Sequence, residues 1–301
     1  MSKHILLTGA SGLIGRHLTR LLLVQGYEVS HLSRRPGKNP RVKTFSWDIP
    51  KGEIDGACVD GVDTIIHLAG AGVADGHWTK KRKKEIIDSR TKSIRLIYDL
   101  LRKKNHRVKS VISASATGYY GDSGDALLTE DSPAGNDFLA EVCVKWEAAV
   151  EEGDELSLRI VKFRTGVVLD KKGGALPQLA LPVKLAVGSP LGSGKQWVSW
   201  IHWHDVVKLY FYAVTNTKLS GTFNMVAPNP ATNKQLTQAV AKQLHRPLWA
   251  PKVPKLVMEL LFGEMSLAVL ESTKASSQKI EDAGFKFDYP ELAGALKEIY
   301  G

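Results

Sequence analysis

Hydrophobic and polar positions follow two alternating patterns over residues 1–165. Short apolar runs, typical of buried strands, are separated by longer stretches in which apolar residues recur at helical spacing. Strands that alternate with helices in this way indicate βαβ units, so the predicted fold class is α/β with a doubly wound parallel sheet. The predicted strands cover residues 4–8, 28–33, 42–47, 63–68, 109–115 and 157–163, and the predicted helices cover residues 13–25, 79–104 and 138–152.

The pattern loosens after Arg164. Glycines and prolines are frequent between residues 188 and 194, and no internal repeat or low-complexity tract occurs. We therefore divide the chain into a sheet domain over residues 1–170, completed by segments near 197–226, and a smaller C-terminal region over residues 171–301. The helices predicted in this second part cover residues 204–214, 232–244, 253–262 and 289–300.

The composition is that of a soluble globular chain with a large core. The 301 residues are 43% hydrophobic and 24% charged, which excludes intrinsic disorder. No apolar stretch reaches the length of a membrane span and the N-terminus lacks a signal-peptide core, so we expect a cytoplasmic protein without a membrane partner. Cys58 and Cys143 form no paired motif, which excludes a disulfide framework and a thiolate zinc site.

The net charge of +10 comes from one segment. Residues 80–109 hold 13 lysines and arginines against three acids, and the rest of the chain is balanced. Apolar residues in this segment recur near helical spacing, so its basic residues are expected to form the solvated face of a long helix. The segment lacks a series of interleaved aromatic residues that stack on bases, and we therefore expect no nucleic-acid partner.

A glycine-spaced turn joins the first predicted strand to the first predicted helix, with the spacing G-x-x-G-x-x-G. In a Rossmann-type fold the first glycine permits the tight turn, the second lets backbone approach a pyrophosphate, and the third lets helix and strand pack closely. Free N–H groups at the start of the helix favour phosphate. The sheet domain is thus predicted to be a Rossmann domain that binds a dinucleotide. The predicted contacts in this turn are Gly9, Ser11, Gly12, Leu13, Ile14 and Gly15.

The end of the second predicted strand favours NADP(H) over NAD(H). An acid at this point would accept a hydrogen bond from the ribose 2′-hydroxyl of NAD. Here the strand ends at Ser33 and Arg34, without an acid. A hydroxyl and a guanidinium suit a 2′-phosphate instead, because a guanidinium forms charge-assisted hydrogen bonds to phosphate. The predicted cofactor is therefore NADP(H), and the alternative is that Arg34 is a solvated loop residue.

Three motifs resemble those of the extended short-chain dehydrogenase/reductases, a Rossmann-fold group that includes sugar-nucleotide epimerases and dehydratases. They are the glycine turn, the run from His67 to Gly70 after the fourth predicted strand, and the run from Ser113 to Gly121 after the fifth. With a later motif that begins at Ile201, they cover nearly the whole chain. The resemblance implies the Rossmann fold and a substrate cap formed mainly by residues 171–301.

The chain departs from this family at the catalytic pair that the resemblance implies. In the family, a Tyr-x-x-x-Lys pair on the helix after the fifth strand performs acid and base catalysis, and the lysine lowers the pKa of the tyrosine. Aligning Glu147 with an acid that usually follows the lysine puts Leu139 at the tyrosine position and Cys143 at the lysine position. Leucine carries no proton and a thiol supplies no fixed positive charge. A family asparagine on the preceding helix is replaced by Arg90.

These departures closely match one atypical subgroup of the NAD(P)-dependent epimerase/dehydratase superfamily. Its members are named only as epimerase family proteins, sometimes mislabelled as cell-division inhibitors, and their reaction is unknown. Arg90 suits a cofactor contact there, because a guanidinium that faces a pyrophosphate forms charge-assisted hydrogen bonds. The cofactor contacts implied outside the glycine turn are Ser33, Arg34, Leu68, Ala69, Gly70, Glu85, Arg90 and Val168.

Three residues are candidates for catalysis. Ser115 ends the fifth predicted strand and could hold a substrate carbonyl, or it could be a buried serine bonded to backbone. Tyr119 and Tyr120 are the nearby phenols; one of them could replace the absent acid, although an aromatic pair beside a glycine turn also serves packing.

His202 and His204 lack the further partners that a metal site needs, so no metal is predicted.

The leading hypothesis is an NADP(H)-binding, epimerase-like oxidoreductase or isomerase of unknown substrate. It would pass hydride between the nicotinamide and a small molecule, sugar-like or anionic, with Tyr119, Tyr120 or solvent as proton donor. The alternative is a catalytically inactive NADP(H)-binding sensor or scaffold. The missing pair favours the alternative, whereas the retained Ser115 and the cap favour the enzyme. The sequence leaves open whether the protein is a monomer or a homodimer.

Overall fold

Strands and helices alternate along the chain in the computed structural model, which describes residues 3–37, 39–251 and 253–301. None of the helices in these ranges is long and apolar enough to cross a membrane. The strands are β1 (His4–Thr8), β2 (Glu28–Ser33), β3 (Lys43–Asp48), β4 (Glu53–Ile54), β5 (Thr64–His67), β6 (Ser110–Ala116), β7 (Leu127–Leu128), β8 (Arg159–Thr165), β9 (Val167–Leu169), β10 (Trp197–Val198), β11 (Trp200–His202), β12 (Gly221–Met225), β13 (Ala231–Thr232) and β14 (Lys274–Ala275). The helices are α1 (Leu13–Val24), α2 (Lys80–Lys103), α3 (Phe138–Glu151), α4 (Leu176–Lys184), α5 (Trp203–Thr215), α6 (Asn233–Gln243), α7 (Lys255–Phe262), α8 (Leu267–Leu270), α9 (Gln278–Asp282) and α10 (Leu292–Tyr300).

Among the described residues, eight strands form one sheet in the order β4-β3-β2-β1-β5-β6-β8-β12. Neighbouring strands are parallel except β3 and β4, which are antiparallel. The strand order reverses between β1 and β5, and in open α/β sheets a ligand binds at such a reversal, beyond the carboxyl ends of the strands. The predicted α/β class is confirmed, and the sheet is of the doubly wound, Rossmann type.

The central strand β1 is buried on both faces, as its continuous apolar sequence predicts. Ile5 and Leu7 pack on one face in a cluster that includes α1 and α5, whereas Leu6 packs on the other face with α2 and α3. Each fully buried large apolar side chain stabilises the fold by about 1.5–3 kcal/mol. The sheet therefore holds its carboxyl ends, where a ligand would bind, in fixed positions.

The basic segment forms α2, which is amphipathic as predicted. Ile86 and Ile94 are fully buried, whereas Lys84 and Lys92 are exposed. Both lysines pair with Asp88, with Nζ–Oδ2 distances of 2.6 and 2.9 Å. The charge excess thus lies largely on the solvated side of one helix.

Residues 170–301 form a second apolar cluster and also return to the sheet. Leu176, Leu236 and Leu296, from α4, α6 and α10, share this cluster. From the same part of the chain, β12 pairs with β8 at the sheet edge and β14 pairs with β7. The loop before α4 lies against the start of α1, because a Cβ atom on Gly173 would be 3.1 Å from Leu13 Cδ1. The domain boundary near residue 170 stays a prediction.

Candidate functional site

The turn between β1 and α1 has no room for side chains at two of its glycines. Gly9 has a φ of +67°, and a Cβ atom there would lie 2.6 Å from the backbone carbonyl of Leu68. A Cβ on Gly15 would lie 2.5 Å from the carbonyl oxygen of Gly9. Gly12 caps α1 without a side-chain hydrogen bond, which leaves the first N–H groups of the helix available. This arrangement fits a bound phosphate.

A cleft of about 700 Å³ opens at the strand reversal beside this turn. Its walls come from the glycine turn, the ends of β2, β3 and β5, and the first half of α2. The cleft brings together nine of the predicted cofactor residues, while Leu13, Ile14, Gly15, Arg90 and Val168 do not line it. The nine are Gly9, Ser11, Gly12, Ser33, Arg34, Leu68, Ala69, Gly70 and Glu85.

Val168 and Leu13 lie next to each other on the other side of the glycine turn. Val168 is on β9, and a Cβ on Gly174 would lie 3.0 Å from the Val168 carbonyl oxygen and 3.7 Å from Leu13 Cδ2. The loop that follows β9 therefore folds against the start of α1. The structure places these two predicted contacts outside the open cleft but beside the turn that forms it.

The end of β2 presents a cation to the cleft. Arg34 is exposed, and no acid of the described residues forms an ion pair with it. Ser33 of β2 lies opposite Ser46 of β3 in the parallel register, so the residues that follow them, Arg34 and Trp47, also lie side by side. Trp47, together with Ile49 and Pro50, forms an apolar wall of the cleft that sequence reasoning missed. A planar apolar group can lie on this wall while Arg34 meets an anion.

A chain of buried hydrogen bonds holds the backbone that follows β5. Thr8 Oγ1 accepts hydrogen bonds from the N–H groups of Leu68 and Ala69, both at 3.1 Å, so its own proton is directed to His67 Nδ1 at 3.0 Å. His67 Nε2–H then donates to Ser93 Oγ at 3.1 Å. Burial lowers the pKa of His67 to about 4, which keeps the ring neutral. The N–H groups of Leu68 and Ala69 are thus occupied, and only their carbonyl groups remain for a ligand.

Arg90 is buried between α2 and the loop that follows β5. Its Nη1 donates to the carbonyl oxygens of Ala71 at 3.0 Å and Ile86 at 2.9 Å. Its Nε is buried and has no hydrogen-bond partner among the described residues. A Cβ on Gly70 would lie 3.1 Å from Arg90 Cζ, so the guanidinium packs closely against this loop. The unpartnered donor fits a ligand that supplies oxygen acceptors.

The positions of the missing catalytic pair are apolar or neutral. Leu139 packs against Gly118, where a Cβ would lie 3.2 Å from Leu139 Cβ. Cys143 is buried against the Ala116 backbone, and burial raises the pKa of its thiol to about 12. Neither side chain can exchange a proton near neutral pH.

The predicted catalytic residues Ser115 and Tyr120 belong to a buried polar network. Ser115 Oγ donates to Glu147 Oε1 at 2.6 Å, and Arg164 donates from Nε and Nη2 to the two Glu147 oxygens, both at 2.9 Å. Tyr120 donates its hydroxyl to Asn224 Oδ1 at 2.7 Å and accepts from Arg164 Nη1 at 3.1 Å. Burial raises the pKa of Tyr120 to about 12. The protein itself therefore uses both hydroxyl groups.

Tyr119 is placed differently from its neighbour. It is half-buried, and its ring lies under the Arg164 guanidinium with Cζ 3.4 Å from the ring centroid. The Tyr119 and Tyr120 rings meet edge to face. No described residue forms a hydrogen bond with the Tyr119 hydroxyl. Of the three candidate hydroxyl groups, that of Tyr119 is thus the one without a partner among the described residues.

A carboxyl group that sequence reasoning missed lies near the start of α3. Glu271 follows α8 and faces Asp137, which caps α3 by accepting the N–H of Ala140 at 3.0 Å. Burial, with the charges of Asp137 and Asp122, raises the pKa of Glu271 to about 7. Glu271 comes near Asp137 only through the fold, so no local pattern could have revealed this group.

The sequence profile of the NAD dependent epimerase/dehydratase family matches residues 5–226, which include the sheet and the cleft. The chain belongs to this family. A second profile, described as a domain of unknown function, DUF1731, matches residues 253–299. The epimerase/dehydratase family membership inferred from the motifs is therefore confirmed.

Relatives in the epimerase/dehydratase family match along the whole chain. Epimerase family protein YfhF of Bacillus subtilis is 37% identical and covers 98% of this chain and 97% of its own length. The human epimerase family protein SDR39U1, solved with NADPH, is 33% identical, has a TM-score of 0.88 and covers 99% of both chains. UDP-glucuronic acid 4-epimerase of Bacillus cereus, solved with UDP-glucuronic acid and NAD, has a TM-score of 0.79 at 17% identity over 99% of this chain and 98% of its own, which shows the shared fold.

The histidines near α5 have protein partners in this epimerase-family chain. His202 Nδ1 accepts the N–H of His204 at 3.3 Å, and its Nε2 lies 2.9 Å from Glu298 Oε2. The Asp205 carboxylate accepts the N–H groups of residues 288 and 289 at 2.9 and 3.0 Å. These side chains hold α5 against the segment around α10. That no metal binds here stays a prediction.

Proposed function

We propose that the protein is an NADP(H)-binding, epimerase-like oxidoreductase that acts on a small molecule. The observation that carries this proposal is the end of β2, where the chain continues from Ser33 to an exposed Arg34 in the cleft instead of to an acid. A guanidinium at this point binds a 2′-phosphate. The human relative that was solved with NADPH supports the same choice of cofactor.

The residues of the cleft have separate roles in this proposal. The glycine turn and the N-terminal N–H groups of α1 receive the pyrophosphate. Ser33 and Arg34 receive the 2′-phosphate, and the wall that contains Trp47 receives the adenine. NADP(H), when bound, supplies a hydride donor or acceptor. A substrate, sugar-like or anionic, would then lie under residues 171–301.

Tyr119 is the proton donor that the geometry favours. The hydroxyl groups of Ser115 and Tyr120 are committed to Glu147 and Asn224, whereas that of Tyr119 has no partner among the described residues. The Arg164 guanidinium holds the Tyr119 ring in place. We therefore assign proton transfer to Tyr119, and we assign to Ser115 the positioning of Glu147.

The cofactor assignment is tested by calorimetry with NADPH and NADH. Removing the Arg34 guanidinium deletes charge-assisted hydrogen bonds worth about 1.5–3 kcal/mol, so Arg34→Ala should weaken NADPH binding by about tenfold to a hundredfold. NADH binding should change by less than about twofold, since NADH has no 2′-phosphate. The matched control is Arg35→Ala, because Arg35 is also exposed but does not line the cleft. Equal losses for both cofactors would refute the 2′-phosphate assignment.

A second function, an NADP(H) sensor or scaffold without chemistry, is favoured by the buried network around Ser115. Leu139 and Cys143 offer no acid, and two of the three candidate hydroxyl groups are occupied. Absorbance of the reduced nicotinamide, followed with NADPH and a pool of metabolites, separates the two functions. Turnover that persists in Cys143→Ala and is lost in Tyr119→Phe supports the enzyme. Binding of NADPH without turnover in the wild type supports the sensor.

A further inference from the structure

Most of the exposed large apolar side chains lie in two stretches of the C-terminal region. Of the ten that are exposed among the described residues, seven come from residues 181–187 and 249–260. Leu256 and Leu260, at 75% and 85% exposed, lie one turn apart on α7. The seven side chains are Leu181, Leu185, Val187, Trp249, Leu256, Val257 and Leu260.

A short backbone pairing joins the two stretches. The Gly192 N–H donates to the carbonyl oxygen of Val253 at 2.8 Å, and the Val253 N–H donates to that of Pro190 at 3.2 Å. Ser189 Oγ donates to the carbonyl oxygen of Pro251 at 2.6 Å. The exposed side chains come within two or three residues of this joint in both segments, so they form one surface. An exposed apolar surface of this kind marks a binding site.

The same part of the chain is strongly basic. Residues 171–262 hold eleven lysines and arginines against two acids, so the charge outside α2 is balanced in total but not along the chain. One of the two acids, Asp205, is buried and accepts backbone hydrogen bonds. The exposed cations include five that have no acid of the described residues within 4.0 Å, and these are Lys184, Lys195, Lys234, Lys242 and Arg246.

The cations of α2 differ, because acids of the fold pair with many of them. Lys84 and Lys92 both pair with Asp88. Arg95 Nη2 lies 2.6 Å from Glu152 Oε1. Much of the positive charge of α2 is therefore neutralised locally, whereas the five cations between residues 184 and 246 face solvent unpaired.

These unpaired cations lie close to the exposed apolar side chains. A Cβ on Gly194 would lie 3.1 Å from Pro190 Cβ and 3.4 Å from Lys234 Cβ, which places Lys234 beside the joint. Arg246 precedes Trp249 by three residues. Leucine and tryptophan side chains among basic residues are typical of surfaces that lie in the interface of a lipid bilayer.

We propose that this basic apolar surface, defined by the seven apolar side chains and the five cations above, attaches the protein to a lipid bilayer that contains anionic lipids. The apolar side chains enter the boundary between headgroups and acyl chains, and the cations meet the headgroups. A protein partner fits less well, because lysine is depleted in protein interfaces. Peripheral attachment needs no membrane-spanning helix, so the proposal departs from the expectation of no membrane partner, which considered spanning and signal segments alone.

The first test uses sedimentation with vesicles of phosphatidylcholine, with and without phosphatidylglycerol. The wild type should bind the anionic vesicles at least about tenfold more tightly than the neutral ones. About 0.5 M salt should weaken that binding, because it screens the attraction between exposed charges. A wild type that binds neither kind of vesicle, or both equally, would overturn the proposal.

The second test removes the apolar part of the surface. Leu256→Ser/Leu260→Ser should weaken binding to anionic vesicles by at least about tenfold, because two buried leucines are lost from the bilayer. The matched control is Val24→Ser, since Val24 is 74% exposed on α1 and lies outside the surface. Unfolding temperatures show whether each variant is folded, and Trp249→Ser carries the test if the double variant is not. Unchanged vesicle binding in the folded variant would refute insertion.

The third test removes charge. Lys184→Gln/Lys195→Gln/Lys234→Gln should weaken vesicle binding by at least about tenfold, because each cation near an anionic bilayer contributes about fivefold. The control, Lys84→Gln/Lys92→Gln/Lys145→Gln, lowers the net charge equally but removes lysines that are paired with acids. It should stay within about twofold of the wild type. Equal losses in both triple variants would show a general charge effect and would overturn the proposal.

Light scattering and calorimetry separate the remaining explanations. A wild-type dimer that Leu256→Ser/Leu260→Ser converts to a monomer would show that a second copy covers the surface. Binding of soluble polyglutamate as tight as that of anionic vesicles would indicate an acidic protein partner. Either result would overturn the proposal. The residues of the surface do not line the cleft, so NADPH affinity without vesicles should not change in these variants. A wild type that binds vesicles but no NADPH would refute the proposed function alone.

Discussion

The open cleft and the buried network around Glu147, whose residues do not line the cleft, use their polar groups in opposite ways. In the cleft, Arg34 is exposed and has no acidic partner among the described residues. In the network, Ser115, Tyr120 and Arg164 are each no more than 4% exposed and bind one another or Glu147 and Asn224. Free polar groups in a cleft await a ligand, whereas satisfied buried networks mainly rigidify a fold.

This difference explains why the cofactor can be inferred more firmly than the reaction. In the proposed function, the glycine turn binds through its backbone geometry and Arg34 through one charge. The network around Glu147 could be needed for stability whether or not any substrate is turned over. Substitutions in the buried network should therefore lower stability without changing cofactor binding, whereas substitutions in the cleft should weaken cofactor binding.

The largest expected effect comes from Glu147 in the buried network. Glu147→Ala removes the partner of Arg164 and leaves that guanidinium buried without a counter-charge. Removing one partner of a buried ion pair costs about 3–5 kcal/mol, so the free energy of unfolding, measured with urea, should fall by about that amount. Affinity for 2′,5′-ADP should stay within about twofold where the variant is folded.

A matched control for this change is Glu141→Ala on the exposed side of α3. Glu141 pairs with Lys145 at the surface, and exposed pairs of this kind contribute less than about 1 kcal/mol. If both variants lost the same stability, the network would not be the structural element that the contrast requires. A loss of 2′,5′-ADP affinity in folded Glu147→Ala would show that the buried network and the cleft are coupled.

A somewhat smaller loss of stability is expected for Gly9→Ala in the glycine turn that lines the cleft. The added methyl group meets the Leu68 backbone at 2.6 Å and requires a φ of +67° from alanine. Strain and the clash together should lower the free energy of unfolding by about 3 kcal/mol. Dinucleotide binding should be lost as well, because the turn must move.

Gly124→Ala isolates the backbone strain from the clash. Gly124 has a φ of +57°, and a Cβ atom there would meet nothing within 4 Å. Its cost should be about 1 kcal/mol, with dinucleotide affinity unchanged. If Gly9→Ala still bound NADPH as the wild type does, the glycine turn would not be the phosphate site.

The main sheet could be predicted because its strands are long apolar runs. The strand β12 at the edge of this sheet was not predicted as a strand. The strands β7 and β14 were also missed; each is two residues long, and they pair with each other across 145 intervening residues. Helix α4 was also missed; it contains Pro182, which is rare in helix interiors, whereas its first-turn Pro177 costs no hydrogen bond. Such elements depend on tertiary pairing rather than on local periodicity.

The cofactor side of the site could be predicted because its signals are local in sequence. The glycine spacing and the end of β2 are each read from a few consecutive residues. The Glu147–Arg164 pair joins α3 to β8, so it appears only in the fold. The same holds for Trp47, whose position beside Arg34 follows from the register of Ser33 with Ser46.

The effect that is smallest near neutral pH concerns His67, which joins Thr8 of β1 to Ser93 of α2. Burial lowers its pKa from 6.5 to about 4, so in the folded state the ring stays neutral where the unfolded chain would already bind a proton. Its contribution to stability is therefore present above about pH 6.5 and is lost as the pH falls towards about 4. Relative to His67→Asn, which has no proton to bind, the wild type should lose about 1.4 kcal/mol for each pH unit in that window. Urea unfolding at several pH values measures this slope. Parallel pH profiles for the two proteins would mean that His67 has the same pKa in the folded and the unfolded chain, and the neutral hydrogen-bond chain from Thr8 to Ser93 would have to be abandoned.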